Sequence, residues 1–195
     1  PIIRLGESHE STILRALEIG VQTLLISHVS TADQAQNIVR AARYTPQGDR
    51  GLSPFTRHHG YSDRDLKTKL HQANDQMFVG VLVEGEEGIA NLDAIAATSG
   101  LDMVYLGIYD ISQMLGVPGE LNHPKVVSML RDCAQVARKH GIVAGTVARD
   151  QAYLKLLIDS GFRFLSYLVD CAILREGFET ARQGYENLIS RNVKS

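Results

Sequence analysis

Cysteine is scarce in this 195-residue chain: Cys133 and Cys171 stand alone, without metal-ligand spacing. That leaves no thiolate metal site to read and fits a reducing, cytoplasmic setting. No apolar run is long enough to cross a bilayer, and no signal-peptide pattern is visible. No sign of charge dominates either: 20 Lys and Arg face 22 Asp and Glu, a net charge of -2. No basic face is implied, so nucleic acid is not an expected partner. Low-complexity tracts and convincing linkers are missing too. What remains is an ordinary globular composition, 44% hydrophobic and 22% charged, long enough for a sizeable core. The chain opens on Pro1 rather than Met and runs straight into a strand-like PIIRL. Residues ahead of Pro1, or their removal by processing, are therefore expected.

Strand-like and helix-like segments alternate. PIIRL, TLLISH (23–28), MFVGVLVE (77–84), MVYLGI (103–108), VAGTVA (143–148) and FRFLSYLVD (162–170) read as strands. Helical periodicity falls at 9–19, 31–44, about 63–73, 88–98, 124–141, 151–161 and in the rest of the chain after 170. DISQMLGVPGELNHP reads as a loop. The strands lack clean in-out alternation, as expected when helices cover a parallel sheet. Six βα units suit an open doubly wound sheet or a barrel short of two units, since a complete (β/α)₈ barrel takes about 250 residues.

Two carboxylates stand out. Glu84 ends an otherwise apolar strand, and Asp110 follows the next strand. Parallel α/β folds bind ligands at the carboxyl ends of strands. Adjacent strands would bring the two acids together, where they repel unless protonated or neutralised. A hard divalent cation neutralises such a pair. The plain alternative is that Asp110 caps a short helix and Glu84 is solvated. Arg4 ends the first strand; it would hold a substrate carboxylate in a bidentate pair, or form a salt bridge at the strand ends.

PIIRL, LEIGVQTLLI, YTPQGDRG, NDQMFVGVLVE, GLDMVYLGIYDIS and LGVPGELNHP together resemble the pyruvate-dependent class II aldolases of the HpcH/HpaI aldolase/citrate lyase family. The resemblance runs through essentially the whole chain. It implies a TIM (β/α)₈ barrel of the phosphoenolpyruvate/pyruvate superfamily, here missing the first two βα units, as one domain over 1–195 that is amino-terminally incomplete. It implies Mg²⁺, Mn²⁺ or Co²⁺ on Glu84 and Asp110, and a 2-oxo acid (pyruvate or oxaloacetate) held by Arg4 with help from Tyr109 and Asp110. The implied reaction cleaves or forms 4-hydroxy-2-oxo acids through a pyruvate enolate and an aldehyde. A homo-oligomer, trimer or hexamer, is implied as well, with Ala172, Ile173, Leu174 and Phe178 suited to helix packing.

Against the family pattern, Leu82 stands where a glutamine is usual and Tyr109 where alanine is usual, and Arg57-His58-His59 replaces an R-A-S element. The family's base, a histidine with a supporting aspartate, would precede Arg4 by tens of residues, so the chain is expected to lack the amino-terminal catalytic-base region. His28 is the candidate substitute base, and Arg57 a candidate substrate contact. His58 and His59 are further substrate-contact candidates, or plain loop residues. His123, Arg50 and Asp102 read as structural. Two other functions stay open: an oxaloacetate-using lyase or synthase of the same superfamily, and a catalytically degenerate metal-binding or scaffold paralogue.

Overall fold

Each strand is too short and too apolar to stand alone, and in the computed structural model all six lie side by side. The structure describes residues 1–192, with side chains through 189. The strands are β1 (Ile3–Leu5), β2 (Thr23–Ile26), β3 (Phe78–Val83), β4 (Met103–Leu106), β5 (Val143–Ala148) and β6 (Phe164–Tyr167). They form one parallel sheet in sequential order, β1-β2-β3-β4-β5-β6. The sheet is open and curled, a partial barrel with six of the eight strands of a TIM barrel. The helices are α1 (Glu10–Glu18), α2 (Ala32–Ala42), α3 (Leu66–Gln76), α4 (Glu86–Ala90), α5 (Leu92–Ala96), α6 (Ile108–Met114), α7 (Pro124–Lys139), α8 (Gln151–Asp159) and α9 (Asp170–Asn192).

The curl gives the sheet two unequal faces. Val79, Val81, Val83, Val104 and Leu106 point outward into the main core, where they meet Ile13, Leu17, Ile38, Val39 and Leu130 from the helices. The alternate residues Leu25, Leu82, Met103 and Tyr105 form a small inner layer, joined by Ile2, Phe78, Val143 and Phe164. The inner layer is built around two glycines. A Cβ at Gly80 would lie 2.6 Å from Met103 Cε, and one at Gly145 would lie 2.9 Å from Met103 Sδ. Met103, wholly buried, fills the room both leave.

Helix starts follow local chemistry. Thr31 accepts a hydrogen bond from the Gln34 amide, and the Gln34 side chain accepts one from the Thr31 amide, a complete capping box. His123 caps α7 by accepting from the Lys125 amide, with Pro124 in the first turn. Two segments differ from the sequence expectation. The stretch 88–98 falls in two helices, α4 and α5, that meet at Asn91, whose side-chain amide donates to the Ser30 carbonyl at 2.9 Å. The loop expected after Ile108 begins as α6, because Ile108 and Ile111 bury one face of a helical turn. Among the described residues no helix is long and apolar enough to cross a membrane.

Candidate active site

The period of two in a strand decides what meets at the sheet's carboxyl end. Continuing the inner layer outward along β1 and β3 leads from Ile2 to Arg4 and from Leu82 to Glu84. All four residues, with Tyr105, Gly107, Tyr109, Asp110 and Ser166, line one cleft of about 460 Å³. Glu84 sits directly after β3 and Asp110 in the first turn of α6, which follows the neighbouring β4. Gly107 makes the approach possible: a Cβ there would lie 2.6 Å from Glu84 Oε2 and 2.7 Å from its Cβ. Ser112 fixes the turn that carries Asp110. Its wholly buried hydroxyl donates to the Tyr109 carbonyl at 2.6 Å and accepts from the Gly119 amide at 2.9 Å.

The electrostatics follow from this crowding. Glu84's carboxyl is raised above its ordinary range, first by burial and then by the charge of Asp110, whose side chain also hydrogen-bonds it. His28 and Arg4 pull in the opposite direction. His28 Nδ1 lies 2.7 Å from Glu84 Oε1, with the imidazole largely exposed. Its backbone is left-handed, φ 59°; that is uncommon for a residue with a Cβ and turns the ring over the strand ends. Arg4's charge also acts on the Tyr105 hydroxyl, which burial raises and which donates to Ser166 Oγ at 3.2 Å.

A pair of repelling carboxyls beside open solvent is a donor set that suits a hard divalent cation. Among the described residues no group of three or more His, Cys, Asp or Glu side chains converges on a metal position. The chain therefore offers two carboxylates, Glu84 and Asp110, and the remaining coordination would fall to water or substrate oxygens.

Arg4, His28, Glu84, Tyr109 and Asp110 are thus brought to one end of the sheet. Arg57 is not. It lines a cleft with Pro1, Ile19, Gly20 and Thr23, at the opposite, amino-terminal end of β1 and β2. His59 is buried there against Tyr44, 2.9 Å from its hydroxyl, and Arg50 stacks on the Tyr44 ring at 4.4 Å. Asp102 accepts from Arg43 Nη2 at 2.9 Å and the Val79 amide at 2.7 Å, tying β3 to β4 away from the cleft. Tyr105 and Ser166 escaped the sequence reading. Their signal was parity: Tyr105 is two residues from Met103, on the inner face.

The chain belongs to the HpcH/HpaI aldolase/citrate lyase family, whose profile matches residues 1–176. It is 37% identical over 175 residues to a hydroxypyruvate/pyruvate aldolase of Pseudomonas aeruginosa, an alignment covering 89% of this chain and 65% of that one. It is 36% identical over 180 residues to a 2-keto-3-deoxy-L-rhamnonate aldolase of Salmonella gallinarum, covering 92% and 67%. A crystal structure of a family protein from Burkholderia cenocepacia superposes with a TM-score of 0.87 at 28% identity, covering 95% of this chain and 73% of that one. The chain thus spans about two-thirds of the length of these curated relatives, 65% of the Pseudomonas one.

One expectation is corrected. This chain's own amino-terminal stretch is part of the family region: the family match begins at residue 1 and includes β1 with Arg4. The expectation rested on counting back from Arg4 to a preceding loop. The structure gives the physical counterpart of the match, since β1 is paired in register with β2, Ile3 to Leu24 and Leu5 to Ile26, as an integral strand.

Proposed function

We propose that this protein is a divalent-metal-dependent class II aldolase that cleaves or forms 4-hydroxy-2-oxo acids, with pyruvate or a close 2-oxo acid as one partner and an aldehyde as the other. One observation carries the reading: Arg4, Glu84 and Asp110 line the same cleft at the carboxyl end of the parallel sheet. Two relatives that are aldolases by name support it.

In this reading Arg4 holds the substrate carboxylate through paired N–H donors. Glu84 and Asp110 would hold Mg²⁺, Mn²⁺ or Co²⁺, whose positive charge would favour the enolate. His28 is the base. Glu84 engages Nδ1, which leaves Nε2 to take the proton from the substrate's 4-hydroxyl. The C3–C4 bond then breaks, the aldehyde leaves, and its bonding electrons pass into the enolate. His28 returns the proton to C3, giving the 2-oxo acid. Tyr109, half exposed at the rim, bounds the aldehyde side. The apolar lining from Leu25, Leu82 and Phe164 limits water near the enolate.

The active protein is proposed to be a homo-oligomer, trimer or hexamer. Ile173, Leu174, Phe178 and Leu188 are exposed along α9, an apolar load that a monomer rarely leaves in water. The first test is Mn²⁺ binding, followed by the loss of free-ion electron paramagnetic resonance signal. Stoichiometric binding, weakened at least about 100-fold by Glu84→Gln, is expected. Unchanged binding in Glu84→Gln would remove Glu84 from the site.

A further inference from the structure

A cleft of about 580 Å³ lies at the other end of the sheet, between the carboxyl ends of α7 and α8 and the starts of β5 and β6. Its wall is one stripe of α7. Val126, Leu130, Cys133 and Ala137 face the core, so Arg131, Gln135 and Arg138, spaced i, i+4, i+7, share one flank. The opposite flank is engaged elsewhere: Lys139 and His140 both bond Asp93, at 2.7 and 2.9 Å. Arg163 joins the cleft from the start of β6, donating through Nη1 alone to the carbonyls of Ile158 and Phe162. The side chains of Arg131 and Arg138 make no hydrogen bond or ion pair among the described residues. The single acid in the lining, Asp159, is bound by Lys155 at 2.6 Å. Three guanidinium groups therefore share a concave surface of a chain whose net charge is -2, with most of their donors unused.

We propose that this cleft is a second ligand site, for a small dianion whose paired oxygens match the guanidinium forks: a phosphoryl group or a compact dicarboxylate. Helix carboxyl ends carry partial negative charge. One cation per helix end answers that, and three converging on one cleft exceed it. The site is separate from Arg4 and is independent of the proposed aldolase chemistry.

The test is titration of the full chain with inorganic phosphate and, separately, malonate at fixed ionic strength, following the Gly141 and Gly161 amide resonances. Saturable shifts with a Kd at or below about 1 mM are expected for at least one probe, and whichever binds names the source of the oxyanion. Binding should survive Arg4→Ala and weaken at least about 10-fold in Arg131→Ala/Arg138→Ala. Both arginines are exposed, and an unchanged melting temperature will show that the double variant folds. The proposal is overturned if neither probe saturates, or if Arg4→Ala abolishes binding while the double variant keeps it.

Discussion

At the scale of single residues, the account turns on how closely Glu84 and Asp110 are packed. Gly107 is the residue that permits it, because any side chain there would overlap the Glu84 carboxylate. Gly107→Ala is therefore expected to push Glu84 out of place, costing about 1–3 kcal/mol of stability and more in activity than in folding. Urea unfolding together with Mn²⁺ affinity will separate the two losses; a variant that keeps full affinity would show that Glu84's position is not critical. That the two acids would meet was legible in the sequence, since each follows one of two neighbouring parallel strands, and both line one cleft. Gly107's role was not, because a close approach between side chain and backbone leaves no mark in composition. Arg57's position, away from the cleft that Arg4 lines, was illegible for a related reason. Its loop leaves α2 at the amino-terminal end of the sheet, and nothing in an irregular polar stretch tells which end it covers.

At the scale of elements, the sequence showed the strand–helix rhythm but hid the two faces of the sheet. Both faces are apolar, so hydropathy could not tell Leu82, inside the curl, from Val81 and Val83, outside it. The inner layer is recognisable only through Gly80 and Gly145, the small residues flanking Met103. Met103→Ala should open a cavity between them and destabilise the chain by about 2–5 kcal/mol. Chemical denaturation will measure it, and a cost well under 1 kcal/mol would mean that the inner layer collapses freely. The same layer carries Arg4 and Glu84 at its rim, so Met103→Ala should also loosen the site. By contrast, Thr31→Ala removes only a helix cap, with an expected cost of about 1 kcal/mol and unchanged metal affinity.

At the scale of the whole molecule, the histidines around Arg50 set an acid limit. His58 is pulled down to about 4, by burial first and then by the charges of Arg50 and His59. His59 is lowered by burial, then by Arg50 and Lys69. In the unfolded chain both protonate near 6.5, so the unfolded state takes up protons that the folded state refuses. Their effect on stability is absent above about pH 6.5 and grows as destabilisation when the pH falls toward 4. A loss of about 1–2 kcal/mol between pH 7 and pH 5 is expected, with a shallower slope in His58→Gln. Urea midpoints at the two pH values will measure it, and a slope unaffected by the substitution would assign the acid limit elsewhere.

The central claim is that Arg4, Glu84 and Asp110 act together on a 2-oxo acid, and it can be tested without knowing the aldehyde. The measurement is exchange of pyruvate methyl protons into deuterated water, followed by proton NMR with and without Mg²⁺ or Mn²⁺. The account predicts metal-dependent exchange, reduced at least about 100-fold by Glu84→Gln. Exchange that ignores the metal, or that survives Glu84→Gln unchanged, would contradict it.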